Sequence, residues 1–327
     1  MSTETKITAE KFMVSASPHI RCDESISKIM WTVNAALAPA ALFSIYNFGM
    51  PALMNMVLCI VAAMATEYLI LKWQNKAMVV NDGSAFLTGL LLAMNIPATL
   101  PWYMPIVGSI FAIGVAKHTM GGLGFNIFNP ALIGRAFILA SWPIAMTTWP
   151  ISKDMIASLD GVTSATPLGI LKQQGYQKLV ETFGDKGTMY HDLFLGTRPG
   201  SMGETSALLL ILGGIFLIYK GYIKWQVPVF MIGTVGILTA IFGGDPFLHM
   251  MSGGLILGAF YMATDMVTIP ITIKGQIIFA VGAGALTVLI RLQGGYPEGV
   301  CYAILLMNCV TPLIDRLVRP VKYGARR

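Results

Sequence analysis

A threonine with small neighbours is the residue whose surroundings point most directly to covalent chemistry. Thr166 lies in the stretch DGVTSATPL, which covers residues 160–168 between the two apolar halves of the chain. Gly161 loosens the backbone, Pro167 favours an extended conformation at Thr166, and Ala165 leaves space around the hydroxyl. The stretch shows no helical periodicity, so we predict an accessible threonine on a loop, which a modifying enzyme can reach. An ordinary Ser/Thr-rich loop is the alternative.

A second polar run, GGLGFNIFNPA at residues 121–131, combines three glycines with two asparagines. The glycines permit unusual backbone angles and the close approach of a ligand. Asn126 and Asn129 lie three residues apart, so on a helix they would share one face and offer donors and acceptors to a flat heteroaromatic ring. The alternative is a structural role, in which this run caps a helix that has Pro130 in its first turn.

Four of the charged residues within or at the ends of apolar segments lie where a charge needs a partner, a water-filled cavity or a neutral state. They are Asp82, Arg135, Asp265 and Asp315. We favour an interfacial position near the cytoplasmic edge for Asp82 and Asp315. Asp265 precedes a chain break at Pro270, where freed backbone groups could meet an ion or a bound ring, so Asp265 is a candidate for a functional contact.

The residue types that usually carry catalysis or bind metals are not arranged to do so. The four histidines are scattered without metal-ligand spacing, and the four cysteines form no CxxC pair. No glycine-rich phosphate loop follows a strand pattern, and no Ser/His/Asp or paired-carboxylate constellation is evident. We therefore expect no metal site and no catalytic side chain. The cysteines are interpreted as apolar filler; they are Cys22, Cys59, Cys301 and Cys309.

The composition is that of an integral membrane protein. Hydrophobic residues make up 55% of the chain and charged residues 12%, and the mean hydropathy is +0.68, whereas soluble domains carry about 25% charged residues. The polar residues 1–27 lack the apolar core of a cleavable signal peptide, so the first span is expected to act as the insertion signal. The net charge of +6 does not indicate a nucleic-acid partner, because Lys and Arg punctuate the apolar segments.

Ten apolar segments can be distinguished, five on each side of the polar middle. They cover residues 28–48, 51–71, 84–97, 101–118, 128–147, 205–220, 225–243, 250–265, 272–290 and 297–316. Several are shorter than the roughly 20 residues of a straight span, so they must be packed inside the protein or paired with a broken helix. We therefore predict an all-α integral membrane protein with about ten transmembrane helices, some of them broken.

The domain organisation follows from the positions of these segments. A cytoplasmic N-terminal segment is followed by a first membrane repeat of five spans, an extracytoplasmic loop, a second repeat of five spans and a basic cytoplasmic tail. The predicted boundaries are 1–27, 28–147, 148–204, 205–316 and 317–327.

The distribution of basic residues predicts the orientation. With the N-terminus in the cytoplasm, most of the 22 Lys and Arg residues lie in the N-terminal segment, on inside loops or in the tail. Among the short outside loops, only Arg291 is basic. The opposite orientation would place nearly all of these residues on the wrong side. Both termini are therefore expected in the cytoplasm, and residues 148–204, with Thr166, on the outer side of the membrane.

The two halves share a spacing of chain breaks, which predicts an inverted repeat. Pro97 lies 24 residues before Gly121 of a Gly-Gly pair, and Pro270 lies 24 residues before Gly294 of another. Each pair leads into a helix that contains an Asn and a Pro. Five spans in each half mean that the second copy is inverted, and such repeats place broken helices, and often binding sites, at their interface.

The stretch at residues 160–168 resembles the Asp-x-x-Ser/Thr-Gly/Ser-Ala-Thr pattern that a flavin transferase recognises when it links FMN to threonine through a phosphoester. Together with the Pro167-Leu168 that follows and the run at 121–131, it resembles the RnfD/NqrB family. That family contains membrane subunits of Rnf electron-transport complexes and of the Na+-translocating NADH:quinone reductase. Ser164 stands where Gly is the commoner residue of the pattern. The resemblance covers nearly the whole chain.

The resemblance implies that Thr166 carries covalent FMN. It also implies that a flavin transferase matures the protein and recognises the residues before the threonine, namely Asp160, Thr163, Ser164 and Ala165. The flavin would supply the redox chemistry, while the protein would supply position and electrostatics.

A second, non-covalent flavin, riboflavin, is implied near Asn126 and Asn129, with Asp265 as a candidate contact to an ion or to flavin. Electrons would pass between the covalent FMN of a neighbouring subunit and the flavin on Thr166. The whole complex, in a bacterial or archaeal cytoplasmic membrane, would link ferredoxin and NAD to the movement of Na+ or H+. The ferredoxin and NAD sites would lie on other subunits.

Two other classes of protein fit the same segments. A channel or transporter without a redox role, with an inverted repeat similar to that of urea transporters, is the main alternative. A structural scaffold is the third interpretation. A flavin bound covalently at Thr166 would distinguish the electron carrier from both.

Overall fold

In the computed structural model the protein is described over residues 24–76, 80–150, 163–164, 166–196, 200–204, 206–295 and 298–319. Over these ranges the chain is almost entirely helical, and its one sheet consists of two strands of two residues each. The predicted helical class is therefore confirmed for this part of the chain. The short strands lie in the polar middle and not in the apolar halves.

The first half of the chain forms helices that follow the predicted apolar segments closely. They are α1 (Ile26–Phe48), α2 (Met50–Trp73), α3 (Ser84–Met94), α4 (Tyr103–Phe111), α5 (Pro130–Ser141) and α6 (Pro143–Thr147). A 3-10 turn (Val80–Asp82) precedes α3, and α4 continues directly as a π-helix (Ala112–His118). The predicted segment 128–147 is interrupted at Trp142, between α5 and α6.

The polar middle and the second half add the remaining elements. They are β1 (Trp149–Pro150), β2 (Thr163–Ser164), α7 (Pro167–Phe183), α8 (Lys186–Leu195), the 3-10 turn Met202–Glu204, α9 (Ala207–Tyr219), α10 (Gln226–Ile241), α11 (Pro246–Met251), α12 (Leu255–Leu257), the π-helix Gly258–Met262, α13 (Ile273–Gln293) and α14 (Val300–Leu317). Strands β1 and β2 pair antiparallel, with Trp149 opposite Ser164.

Four of the described helices are long and apolar enough to cross a membrane by length and composition, namely α1, α2, α13 and α14. Helices α3, α5, α9 and α10 are apolar but shorter. With 11 residues, α3 reaches about 16 Å, roughly half of the hydrocarbon core. Backbone groups at the end of such a helix cannot remain unpaired in lipid, so the short helices need packed neighbours.

Glycines allow these helices to approach one another closely. A Cβ atom on Gly89 of α3 would lie 2.7 Å from the Cα atom of Ile60 in α2. A Cβ atom on Gly284 of α13 would lie 2.7 Å from the carbonyl oxygen of Met231 in α10. Small residues at helix contacts are the usual means of packing inside a membrane. In each half, a glycine thus fixes one of the main helix pairs.

The two halves contact each other along two pairs of helices and near the chain breaks. Helix α1 packs along α9, and α5 packs along α14. At the C-terminus of α3, Asn95 donates a hydrogen bond to the Sδ atom of Met262 at 3.6 Å. Cys301 of α14 donates to the carbonyl oxygen of Leu132 in α5 at 3.5 Å. These contacts join the halves around the chain breaks.

The polar middle contains two helices that sequence reasoning treated as a loop. Pro167 is the first residue of α7 because Thr166 caps that helix, and proline is favoured at this position since it has no N–H to leave unpaired. Helices α7 and α8 pack around a small apolar cluster that includes Leu179, Met189 and Leu248. Leu248 belongs to α11, so this cluster holds the middle segment against the second half.

Candidate functional site

Thr166 is the N-cap residue of α7. Its Oγ1 atom accepts a hydrogen bond from the Gly169 amide at 3.1 Å, and its carbonyl oxygen accepts one from Ile170 at 2.9 Å. The side chain is buried, with 3% of the residue exposed. The prediction of an accessible threonine on a loop is therefore wrong for this arrangement of the chain. The cap hydrogen bond and the start of α7 draw the residue into the fold.

Thr166 nevertheless borders open space, because it lines a cavity of about 280 Å³. We call this space the Thr166 cavity. Its walls come from α5, α6, β1, the first turns of α7, Gly295 and the start of α14. The residues that matter for its chemistry are Arg135, Thr166, Gly169, Glu298 and Tyr302. A group attached to the Thr166 hydroxyl therefore has room beside it.

The start of α7 favours a negative charge at this hydroxyl. The first amides of a helix have no partner within the helix, and the aligned peptide dipoles place partial positive charge there. Phosphate groups bind at such helix N-termini. Gly169, whose amide already points at the Thr166 hydroxyl, has no side chain to obstruct a bulky substituent. The position suits a phosphoester.

An ion pair crosses the Thr166 cavity. Arg135 of α5 donates from its Nη2 atom to the Oε2 atom of Glu298, just before α14. Their side chains are 7% and 9% exposed. Two of their polar atoms, Arg135 Nε and Glu298 Oε1, are buried and have no partner among the described residues. The sequence predicted that Arg135 needs a partner, a water-filled cavity or a neutral state; it did not identify Glu298, which lies two residues before α14.

The other residues of the flavin-transferase pattern are only partly described. Thr163 and Ser164 form β2 and pair with β1, Thr163 opposite Pro150 and Ser164 opposite Trp149. Asp160 and Ala165 lie outside the described residues. Their expected role in recognition by a transferase stays a prediction.

The run at residues 121–131 lines a second, smaller space of about 90 Å³, the Asn126 cavity. Asn129 is the N-cap residue of α5, and its Oδ1 atom accepts from the Ala131 amide at 3.0 Å. Asn126 lies before the helix and donates to the Phe128 carbonyl at 3.1 Å. The prediction that the two asparagines share a helix face is wrong, and the helix-cap alternative is confirmed for Asn129. Both residues still line one cavity.

Asp265 reaches the same cavity from the second half. It follows the π-helix that ends at Met262 and lies before α13, as its position before a break predicted. Its Oδ1 atom accepts from the Val267 amide at 3.4 Å, and its Oδ2 atom from the Thr268 hydroxyl at 3.3 Å. Asn129 approaches this break too, with its Nδ2 atom 3.4 Å from the Met262 carbonyl oxygen. The cavity thus joins both halves.

The two other acidic candidates act within the fold. Asp82 accepts hydrogen bonds from the amide and the hydroxyl of Ser84, at 2.9 and 2.7 Å, and so holds the start of α3. Asp315 of α14 accepts from the Ile271 amide at 3.0 Å. Each carboxylate satisfies a backbone N–H near a chain break. Neither lines the Thr166 cavity or the Asn126 cavity.

A buried network beside the Asn126 cavity was missed from the sequence. Lys117, which also lines that cavity, donates to Glu67 Oε1 and to Ser84 Oγ, each at 2.7 Å. Only 2% of Lys117 and 4% of Glu67 is exposed. From the distribution of basic residues, Lys117, near the end of the apolar segment 101–118, is expected on an inside loop. A signal was present in Glu67, which is the single charged residue of the segment 51–71.

A third polar group anchors the middle segment. Tyr176 of α7 and Tyr190 of α8 both donate to the Oδ2 atom of Asp245, the N-cap residue of α11. The hydrogen bond to Asp245 and burial raise the pKa of Tyr190. Burial alone would raise the pKa of Asp245, but the hydrogen bonds from Tyr190, the Leu248 amide and Tyr176 outweigh it and lower that pKa. The ionised carboxylate is the form that holds α7 and α8.

The amino-acid sequence is similar to those of known proteins over nearly its full length. A model of the NQR2, RnfD, RnfE family matches residues 13–324. The D subunit of the proton-translocating ferredoxin:NAD(+) oxidoreductase complex of Clostridium ljungdahlii is 64% identical, over 99% of each chain. The D subunit of the Na(+)-translocating complex of Acetobacterium woodii is 48% identical over 96% of each chain. The D subunit of an ion-translocating oxidoreductase complex of Stutzerimonas stutzeri is 40% identical over 92% of each.

Proposed function

The chain belongs to the NQR2, RnfD, RnfE family, and on that basis we propose that it is the membrane electron-carrier subunit of an Rnf-type ion-translocating complex. Two of its relatives are named as the D subunits of ferredoxin:NAD(+) oxidoreductase complexes. The matches extend over nearly the full length of both chains, which supports the same place in a complex. Several apolar helices agree with a multi-pass membrane subunit, and four of those within the described residues are long enough to cross a bilayer.

Thr166 carries FMN through a phosphoester in this proposal. The observation that carries it is the position of the hydroxyl, at the N-terminus of α7 and on the wall of a cavity of about 280 Å³. The phosphate would be held by the start of the helix. The cavity approaches the range of roughly 300 to 1,000 Å³ that accommodates small-molecule ligands. Arg135 and Glu298, with unpartnered polar atoms, fit a ring that has both donors and acceptors.

A second, non-covalent flavin, riboflavin, is proposed at the Asn126 cavity. Asn126 Oδ1 is buried without a partner among the described residues, and Asp265 and Asn129 line the same space. At about 90 Å³ this cavity is several times smaller than pockets for ligands of that size. Binding of riboflavin would therefore require side chains of the cavity to move apart.

We further propose that the helices form ten spans in two inverted repeats of five. In the first half, the break at Pro97 separates α3 from α4; in the second, the break at Pro270 separates the π-helix after α12 from α13. The contacts of α1 with α9 and of α5 with α14 pair elements at corresponding places in the two halves. This pairing supports a two-fold axis between the repeats.

The proposed orientation puts both termini in the cytoplasm and residues 148–204 on the outer side. The distribution of basic residues supports it. The Thr166 cavity would then open at the outer face and the Asn126 cavity at the inner face. Electrons would pass between the covalent FMN of a neighbouring subunit and the flavin on Thr166, and the inner flavin would extend the route across the bilayer.

Two relatives that are similar in sequence over nearly their full length are named for different transported ions. The relative that is 64% identical is named for protons, and the one that is 48% identical is named for Na(+). Asp265 stays a candidate contact to an ion or to the inner flavin. A flavin transferase and the other subunits of the complex are the expected partners.

The mass of one tryptic peptide tests the covalent flavin. Cleavage after Lys153 and Lys172 releases residues 154–172, which contain Thr166 and no other Lys or Arg before the end. Protein made together with a flavin transferase should yield this peptide with the mass of an FMN phosphoester. An unmodified peptide under those conditions would contradict the proposal and favour the alternative of a transporter without a redox role.

A further inference from the structure

The ion pair between Arg135 and Glu298 stands where a flavin on Thr166 would need a polar wall. Both residues line the Thr166 cavity, yet they come from different halves of the chain, Arg135 from α5 and Glu298 from two residues before the start of α14. An ion pair that served only to join the two helices would gain most by satisfying all of its polar atoms. This pair leaves one N–H and one carboxylate oxygen without a described partner.

Those two atoms are complementary in type. Arg135 Nε carries an N–H donor, and Glu298 Oε1 is an acceptor when the carboxylate is ionised. Leaving buried donors and acceptors unpaired is unfavourable until a ligand or water pairs with them. To meet a ligand in the cavity that both residues line, these atoms would have to turn toward it by a change of side-chain rotamer. A ligand that offers an acceptor beside a donor would satisfy both.

The pyrimidine edge of a flavin ring has this pattern, since its N3–H group lies between two carbonyl groups. We infer that the Arg135–Glu298 pair binds the pyrimidine edge of the flavin on Thr166, with Arg135 donating to a ring carbonyl and Glu298 accepting from the ring N3–H. This inference rests on the proposed attachment of FMN to Thr166. It assigns both residues a positioning role and makes them the groups that tune the potential of the flavin.

The charges of the two residues have opposite effects on that potential. Reduction of the ring by two electrons, with uptake of one proton, leaves a negative charge near the pyrimidine edge. The Arg135 guanidinium stabilises that charge, while the Glu298 carboxylate opposes it. Removal of Arg135 should therefore make the midpoint potential of the bound flavin more negative, and removal of the Glu298 charge should make it more positive. A pair with only a structural role predicts no such opposition.

The test uses the full chain produced with a flavin transferase, so that the covalent flavin can be titrated in the purified protein. Arg135→Gln and Glu298→Gln each remove one charge and keep a polar side chain. The Gln amide is isosteric with the Glu298 carboxylate, but the Gln side chain is shorter than that of Arg135. Asp315→Asn is the matched control, since it removes one negative charge near the other end of α14 and lies outside the cavity. Each variant is first checked for a flavin-fluorescent band after denaturation, and then titrated spectroelectrochemically.

We expect both cavity variants to retain the fluorescent band. The midpoint potential should become more negative in Arg135→Gln and more positive in Glu298→Gln. Each shift should change the equilibrium constant for flavin reduction at least tenfold. For a two-electron couple this is about 30 mV. The absorption band of the oxidised flavin should shift as well, and Asp315→Asn should match the wild type. Unchanged potentials in both variants, or shifts in the same direction, would overturn the inference.

Two outcomes separate this inference from the proposed function. A wild-type protein without a fluorescent band would contradict the attachment of FMN to Thr166 itself. A wild-type protein with the band, but with potentials that do not respond to the variants, would contradict only the role of the ion pair. If Arg135→Gln does not accumulate, Glu298→Gln alone decides, because its isosteric amide needs no repacking and the absence of a positive shift overturns the inference.

Discussion

The Thr166 cavity and the Asn126 cavity both lie between the two halves of the chain but offer different chemistry. The first lies at the start of α14 and the second at the start of α5. The wall of the first contains an ion pair and a hydroxyl at a helix N-terminus. The wall of the second contains two amides and the carboxylate of Asp265. Under the proposed function, the first cavity would hold a covalently attached flavin and the second a reversibly bound one.

The two cavities also differ in size, in agreement with the proposed covalent flavin in one and non-covalent flavin in the other. The Thr166 cavity has about 280 Å³ and the Asn126 cavity about 90 Å³. A covalently attached group stays in place without being enclosed on all sides. A non-covalent ligand has to be enclosed to bind well, and a space that closes in its absence is small in the free protein. The predictions below test whether the two cavities differ in this way.

The largest expected effect is the complete loss of covalent flavin without loss of non-covalent flavin. Thr166→Ala should abolish the flavin-fluorescent band, because alanine has no hydroxyl to form the ester, while flavin extracted without hydrolysis should remain at the wild-type level. Thr166→Ser is the control, because serine keeps both the hydroxyl and the ability to cap α7, and it should retain at least part of the band. A band in Thr166→Ala would mean that another residue is the acceptor.

The next effect concerns the buried ion pair between Lys117 and Glu67 beside the Asn126 cavity. Lys117→Met leaves the Glu67 carboxylate buried without its cation, and loss of one partner of a buried ion pair costs about 3 to 5 kcal/mol. Its midpoint of thermal unfolding in detergent should fall clearly. The double variant with Glu67→Gln should recover most of the loss, since no unpaired charge is left behind. A single variant as stable as the wild type would show that the pair contributes nothing to this end of the molecule.

A smaller effect is expected from the cap of α5. Asn129→Ala removes the acceptor for the Ala131 amide, and loss of an N-cap costs about 1 kcal/mol. It should also lower the content of non-covalent flavin, without changing the covalent band. Asn129→Ser keeps the cap but lacks the amide donor, so it should recover stability and not flavin content. Equal flavin content in all three proteins would argue against a ligand contact at Asn129.

The smallest effect is a dependence on pH at the Thr166 end. Because the pKa of Asp245 is lowered in the folded protein, its contribution to stability is present above its unfolded pKa, about 3.9, and is lost as the pH falls through the folded pKa. Proteolysis within α7 and α8 should therefore increase in acid below about pH 4. Asp245→Asn should be cleaved faster at neutral pH and should lose this part of the acid response, whereas a wild-type protein without any acid response would contradict the role of the carboxylate.

The sequence allowed most of the helices to be predicted, and only part of the candidate site. Apolar runs fixed α1, α2, α13 and α14 because a segment that spans lipid must be apolar along its length. The helices of the middle segment escaped this reasoning, since they owe their stability to the cap at Thr166 and to contacts with Leu248 of α11. For Asn129, the sequence indicated a polar residue in a glycine-rich run. Its role as an N-cap stayed one of two alternatives, because that role depends on where α5 begins.

By itself, the sequence determined the class of the protein, the positions of its chain breaks and the threonine whose neighbours match a flavin-transferase pattern, because each is a property of consecutive residues. The tertiary structure decided the partners. Arg135 and Glu298 are 163 residues apart and Lys117 and Glu67 are 50 apart, and only the packing of distant segments brings them together. The burial of Thr166 also depends on the fold, because the residue caps α7 and lies against segments distant in the chain.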